Sequence, residues 1–319
     1  MLKKWAFLVV NLWVSVAVLG QSTQAIQEKS IVVPVVLGNG TPVGVWSGGA
    51  IVLVENSRSS APIVRAFDRN GQKVAELKLV IPGASLIKVH SGQFARGFDG
   101  SFAIAGHAYT TDSRGTSFVA WISADGTNQT IVRMSPYLVY SIAIAPDGTI
   151  WTVGGTETDS LASYDLVRRF DRTGKLLGSM IPNGSLKITD TKRFADAASN
   201  SFLASSTSNI AWYSEAAQIY ILFGLDGSEI ARTQTASPGV KMTLHGLALC
   251  DDGRAYIGSQ LYALPGDGTG VGVIPVTPAG GVPAFIPFGH ATLYGCDGSS
   301  LVAHEGHSSF SWYGLSGGH

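Results

Sequence analysis

A turn motif that recurs six times is the feature that most constrains the fold of this chain. Each copy joins two apolar runs, and successive copies lie 45 to 53 residues apart, ending at Gly49, Gly100, Gly148, Asn200, Gly253 and Gly298. A second set of turns follows the first by 19 to 27 residues and ends at Gly71, Gly126, Gly174, Gly227, Gly280 and Gly317. Asp-Gly and Asn-Gly between apolar runs favour β-hairpins, because both central residues of the tight turn need a positive φ. Each period therefore predicts two hairpins, which is four strands.

Four antiparallel strands repeated six times predict an all-β chain built as a six-bladed β-propeller. Within each blade we name the strands a to d from the axis outward. The last blade lacks a strand d, because only Gly318 and His319 follow its second turn. The apolar segment from Ser30 to Leu37 precedes the first blade. We therefore expect this N-terminal strand to close the ring as the outermost strand of the last blade, where Pro34 would be tolerated at the sheet edge.

The N-terminus has the pattern of an export signal. Lys3 and Lys4 precede a mostly apolar run from Trp5 to Leu19, and small residues follow it. This order is typical of a cleaved signal peptide, and the run is short for a membrane span. The sequence thus predicts a signal peptide over residues 1–25, a propeller over 26–319, and a secreted or periplasmic protein with no membrane span after cleavage.

The charge pattern limits the class of partner. Charged residues make up 14% of the chain and the formal net charge is zero, with lysine and arginine scattered. Nucleic-acid binding needs a basic patch, which this pattern lacks. We expect the ligand to be a small molecule, a glycan or a protein.

The third period resembles an NHL-type repeat. It reads SIAIAPDGTIWTVGG from Ser141 to Gly155, followed by VRRFDRTGKLL from Val167 to Leu177. The chain as a whole resembles the group of six-bladed propellers that includes NHL-repeat proteins, gluconolactonase/regucalcin-like hydrolases and peptidylamidoglycolate lyases. Because such folds carry both binding proteins and enzymes, the resemblance implies the fold and leaves the activity open.

Candidate ligand-binding residues follow from register. Propellers generally bind ligands at the mouth of the central channel, where strands a begin and strands b end. The residues eight positions before the last residue of each first turn are predicted to lie where strands a begin, and they are Thr41, Gly92, Tyr140, Lys192, His245 and His290. The residues seven positions after it are predicted to lie where strands b end, and they are Asn56, His107, Gly155, Thr207, Gln260 and Glu305. From these sets we select four ligand-binding candidates: Tyr140, Lys192, Asn56 and Gln260.

Two histidines in adjacent blades suggest a metal site. His245 and His290 are suitable ligands for zinc or another divalent metal ion, which could polarise a carbonyl or activate water. Glu305 and His107 are the candidate acid/base residues. In the lyases of this group, histidines at the starts of inner strands bind zinc, and the segment from His245 to Leu249 resembles one of those. No third histidine falls at an equivalent position, so a structural role for both histidines stays open.

The sequence leaves three general functions open. The first is an exported binding or scaffold propeller that holds a ligand at the mouth. The alternative is a metal-dependent hydrolase or lyase, lactonase-like or amidoglycolate-lyase-like, at the same site. The segment from Asn39 to Trp46 is similar to the opening pattern of the lactonases but lacks their glutamate. A propeller that acts only in subunit assembly is a third class.

The two cysteines leave a further question open. Cys250 and Cys296 lie three and two residues before the turn glycines of adjacent blades. A disulfide is possible in an oxidising compartment. The one-residue offset would place the side chains on opposite faces of their strands, which argues against it and favours two buried thiols.

Overall fold

The computed structural model describes residues 23–34, 43–112, 114–156, 164–191, 194, 196–235, 242–261, 270–276, 285–288, 291–306 and 308–316. These residues form 26 β-strands in six sheets. The inner strand of each sheet contacts the inner strand of the next, and the last sheet returns to the first. The chain is therefore a six-bladed β-propeller, as the repeats predict. Over the described ranges, the fold includes no helix with the length and apolar character of a membrane span.

The strands run in chain order around the ring. A first group covers the N-terminal strand and blades 1 and 2: β1 (Gln24–Val32), β2 (Val43–Ser47), β3 (Ala50–Glu55), β4 (Arg58–Ser59), β5 (Ile63–Phe67), β6 (Lys73–Lys78), β7 (Leu86–Lys88), β8 (Phe94–Arg96), β9 (Phe102–Tyr109), β10 (Gly115–Ile122) and β11 (Gln129–Arg133). Blades 3 and 4 follow: β12 (Tyr137–Ile144), β13 (Ile150–Thr156), β14 (Asp165–Phe170), β15 (Leu176–Pro182), β16 (Ser201–Ser205), β17 (Asn209–Ser214), β18 (Ile219–Gly224) and β19 (Glu229–Gln234). Blades 5 and 6 comprise β20 (Met242–Leu249), β21 (Ala255–Leu261), β22 (Gly270–Pro275), β23 (Ile286–Pro287), β24 (Thr292–Asp297), β25 (Ser300–Gly306) and β26 (Ser309–Ser316).

The N-terminal strand closes the ring. β1 pairs antiparallel with β26, from Gln24 opposite Ser316 to Val32 opposite Ser309. The closing strand therefore begins six residues before the predicted Ser30, and Pro34 lies after it. An outermost strand is half exposed, so it does not need the apolar run on which the prediction was based. Residues 1–22 lie outside the described residues, and β1 begins two residues before the predicted start of the propeller.

Blade 4 departs from the predicted register. The turn ending at Asn200 was expected between strands a and b, yet strand a is β16, which starts after that turn. The connection from β16 to β17 consists of residues 206–208, where the Ser206 hydroxyl accepts hydrogen bonds from the backbone N–H groups of Ser208 and Asn209. A serine-stabilised turn has no glycine signature, so the search for glycine turns missed it. Thr207 consequently lies at the turn end of the channel, away from the mouth.

In blade 2 the inner strand is divided. β7 and β8 both pair with β9, and the intervening residues leave the sheet. The short strand β4, which comes from the loop between the second and third strands of blade 1, adds to β7. Blade 2 is thereby extended at its mouth end by a strand from its neighbour.

A disulfide joins blades 5 and 6. Cys250 and Cys296 are bonded, with their Cα atoms 5.1 Å apart, so the expectation of two free thiols is wrong. Adjacent blades pack the front of one sheet against the back of the next: Ala248, Cys250 and Tyr256 pack with Leu301 of blade 6. A disulfide across this joint needs one cysteine on the front face of its sheet and the other on the back face of its sheet. The one-residue offset provides this, whereas two cysteines at equivalent positions would both lie on the front face or both on the back face.

We expect the disulfide to stabilise the protein substantially. It closes a loop with a sequence separation of 46 residues, and loops of that size typically yield about 2–4 kcal/mol. Reduction of the wild type should therefore lower the urea concentration at its unfolding midpoint. The Cys250→Ala/Cys296→Ala variant should unfold at the reduced midpoint and not respond to reductant. Two titratable thiols in unreduced, denatured wild type would contradict the bridge.

Candidate functional site

The described residues line a cavity at one end of the central channel, the end formed by the turns between strands a and b. It has a volume of about 80 Å³ and is bordered by all six inner strands. Its carboxylates are already engaged: Asp251 accepts hydrogen bonds from the backbone N–H and the hydroxyl of Thr207, and Asp297 accepts one from the Trp312 indole. These groups link strands and blades to each other, which is a structural role.

The predicted site residues belong to the opposite end of the channel, the mouth, and the structure describes only some of them. Asn56 is exposed directly after β3 and has a φ of 51°. Gln260 belongs to β21, but its side chain lies outside the described residues. Lys192 and His290 also lie outside them. Tyr140, His245, His107 and Glu305 can be placed in detail.

Tyr140 and His245 occupy equivalent β-bulges. The pairing of β12 with β13 skips Tyr140, and the pairing of β20 with β21 skips His245. In both blades four paired residues separate the bulge from the turn, as the register predicts. Bulges turn a side chain out of the regular alternation and occur often at functional sites. In blade 6 the bulge falls at Tyr294 instead, so this blade does not repeat the arrangement.

The metal site stays a prediction. His245 is half-buried in β20, and its proposed partner His290 is outside the described ranges. Within those ranges no group of three or more histidine, cysteine, aspartate or glutamate side chains is positioned to hold a metal ion.

Glu305 makes a specific hydrogen bond. The Tyr313 hydroxyl donates to its carboxylate, and burial together with this contact raises the pKa of Tyr313. The blade 6 hairpin has a two-residue turn between Asp297 and Ser300, whereas the blade 5 turn is one residue longer. Gly306, and not Glu305, is therefore the counterpart of Gln260. The acid/base role of Glu305 stays a prediction.

A cluster of Tyr140, Tyr164 and Asp196 forms the best-defined polar site at the mouth. Asp196 lies just before β16 and is only 7% exposed. Its carboxylate accepts hydrogen bonds from the Tyr164 hydroxyl at 2.9 Å and the Ser199 hydroxyl at 3.0 Å. Gly155 makes room for this arrangement, because a Cβ there would lie 2.4 Å from Asp196 Oδ2 and 2.7 Å from the Tyr140 hydroxyl.

The electrostatics of the cluster keep both phenols protonated. Burial and the Asp196 charge raise the pKa of Tyr140 to about 12. Burial and the hydrogen bond to Asp196 also raise the pKa of Tyr164. At neutral pH the cluster therefore offers a carboxylate acceptor beside two hydroxyl groups.

Sequence reasoning found Tyr140 but not Asp196. The register of blade 4 was assigned from the wrong turn, which directed attention to Lys192. One signal was available: Asp196 is the single charged residue within the segment Ala195-Asp196-Ala197-Ala198. A carboxylate flanked by small apolar residues at a strand start indicates a buried charge that needs partners.

Comparison with known proteins finds similarity in structure but not in sequence. The chain matches no protein-family model and no curated protein by sequence. It is similar in structure to a candidate exported protein of Bacteroides fragilis, with 10% identity, a TM-score of 0.51, and coverage of 93% of this chain and 96% of that one. It also resembles virginiamycin B lyase from Staphylococcus aureus (10% identity, TM-score 0.40, coverage 92% and 99%) and a gluconolactonase from Xanthomonas campestris (15% identity, TM-score 0.38, coverage 91% and 100%). At these identities the likeness concerns the fold alone: this chain is a six-bladed β-propeller.

The contact between Asp196 and Tyr140 can be tested by titration. We expect Asp196→Asn to lower the pKa of Tyr140 below about 12, because the charge that opposes the phenolate is removed. Tyrosine ¹³Cζ NMR measures this directly. Tyr220 is the matched control, since burial alone raises its pKa to about 12. An unchanged pKa of Tyr140 in the Asp196→Asn variant would contradict the proximity of Tyr140 to Asp196.

Proposed function

We propose that this chain is an exported binding propeller that holds a small saccharide at the mouth of its channel. The Tyr140, Tyr164 and Asp196 cluster carries the proposal. Binding sites for small polar ligands combine aromatic surface with a few fixed polar groups. This cluster supplies both from three blade elements: the bulge of β12, the start of β14 and the segment before β16.

The chemistry of the cluster favours contact with an uncharged part of a ligand that is rich in hydroxyl groups. A carboxylate accepts hydrogen bonds from hydroxyls, and such charge-assisted bonds are among the stronger ones in proteins. The protonated Tyr140 hydroxyl can donate a hydrogen bond to a ligand, whereas the Tyr164 hydroxyl already donates to Asp196 and can accept one. Both rings offer apolar faces to the C–H surface of a sugar. Asp196 is held by Tyr164 and Ser199, so it would not need to reorganise on binding.

Two observations support export. The basic N-terminus followed by the apolar run from Trp5 to Leu19 matches a signal peptide. The disulfide between Cys250 and Cys296 is typical of oxidising compartments. The structural similarity to a candidate exported protein accords with this proposal.

Binding can be measured with a panel of neutral mono- and oligosaccharides, first on an array and then by calorimetry. We expect at least one saccharide to bind, and Asp196→Asn to weaken it by about tenfold or more, the loss expected for a hydrogen bond to a charged group. Glu229→Gln is the control: Glu229 lies on the outermost strand of blade 4 and pairs only with Arg232 among the described residues. Its affinity should equal that of the wild type.

The same protein preparation separates this proposal from the enzyme alternative. If no saccharide binds while near-stoichiometric zinc, or another divalent metal, is found by elemental analysis, the binding proposal fails. Loss of that metal in a His245→Ala/His290→Ala double variant would then support a metal-dependent hydrolase or lyase. The analysis requires protein purified without chelator and without a metal-binding tag.

A further inference from the structure

A row of basic side chains crosses blade 2 at the mouth. Arg58 on β4 lies directly opposite Lys88 on β7, and Lys88 lies directly opposite His107 on β9. Directly opposed residues in antiparallel strands point to the same face of the sheet. Three basic side chains from three neighbouring strands therefore project side by side.

This arrangement is electrostatically unfavourable as it stands. Like charges placed directly opposite each other destabilise a sheet. No ion pair between described residues includes Arg58 or Lys88. Burial, Arg58, His107 and Lys88 all lower the pKa of the adjacent His90, and no carboxylate among the described residues raises it. A bound anion would relieve this repulsion.

Tyr109 holds the row in place. It lies two residues after His107 on β9, so both side chains share a face. The Lys88 Nζ atom is 4.6 Å from the centroid of the Tyr109 ring, and the His107 and Tyr109 ring centroids are 6.4 Å apart. The cation–π contact keeps the ammonium group beside the histidine instead of leaving it free in solvent.

The row also borders the Tyr140 cluster. Residues between β7 and β8 leave the sheet. An internal hydrogen bond stabilises this segment: Gln93 Oε1 accepts from the backbone N–H of His90 at 2.8 Å. The Gln93 amide then donates to the carbonyl of Val139, and the Gly92 carbonyl accepts from the N–H of Ile142. Val139 and Ile142 flank Tyr140 in β12, so the two groups of residues share the joint between blades 2 and 3.

We infer that Arg58, Lys88, His90 and His107 form a binding subsite for a small oxyanion, a carboxylate or a phosphate. Guanidinium and ammonium groups are the usual donors to both anions, and imidazoles add further donors. The subsite goes beyond the proposed saccharide site and does not depend on it. If the proposed saccharide site is also correct, a ligand that reaches both sites would be a sugar that carries an acidic group, and this last inference rests on the proposed function.

The subsite can be tested with inorganic phosphate and acetate, titrated separately into the isotope-labelled protein while the imidazole signals of His90 and His107 are followed by NMR. We expect saturable shifts with at least one of the two anions, and a higher pKa of His90 in its presence, because the anion offsets the neighbouring cations. Arg58→Gln and Lys88→Gln should each weaken binding by about tenfold or more. The anion that binds more tightly identifies the source chemistry.

Three controls decide the interpretation. Lys78→Gln removes an exposed lysine from the outer strand of blade 1 and should leave anion binding unchanged. Chloride at matched ionic strength should not reproduce the shifts; if it does, or if Lys88→Gln binds phosphate and acetate as the wild type does, the subsite is disproved. Asp196→Asn should weaken saccharide binding by about tenfold or more but retain anion binding, so failure of one proposal is distinguishable from failure of the other.

Discussion

The structure depends on the packing of each blade against two neighbours. Every sheet buries both faces near the axis, so its inner strands are apolar on both sides, and no blade is complete without the next. Trp151, Trp212 and Trp312 are fully buried in these joints. The ring must therefore close, and β1 supplies the outermost strand of the sheet that the C-terminus leaves one strand short. The disulfide fixes the joint beside this closure, where the first and last parts of the chain meet.

The same packing explains why the chemistry gathers at the mouth. Inside the ring the strands are committed to apolar contacts, so polar side chains can converge only where strands begin or end. Bulges in β12 and β20 release Tyr140 and His245 from the regular alternation at that level. Gly155 then leaves the space in which a buried carboxylate and two phenols fit together.

Much of the fold was predictable because glycine marks most of the turns between its strands. Five of the six inner turns and the four described outer turns join the expected strands, since each needs a positive φ that favours glycine. The prediction failed where another chemistry made the turn, as Ser206 does in blade 4. Because the register of blade 4 was assigned from the wrong turn, Asp196 was not among the predicted site residues. The disulfide was not predicted for a different reason. The one-residue offset places the cysteines on opposite faces of their own strands, but opposite faces of adjacent sheets meet at the joint that the bond crosses.

The two polar groups at the mouth carry opposite charge and are held by different means. Asp196 is buried, and neighbouring hydroxyls compensate it. In the basic row, Arg58 and Lys88 form no ion pair with a described carboxylate, so solvent and the Tyr109 ring stabilise Lys88. A compensated charge can remain without a ligand, whereas an anion bound beside Arg58 and Lys88 would reduce the repulsion between them. The segment from His90 to Gln93, beside the basic row, is hydrogen-bonded to β12, which carries Tyr140, at the joint between blades 2 and 3. A ligand that spans this joint would therefore contact an acceptor on one side and donors on the other, which favours one orientation over its reverse.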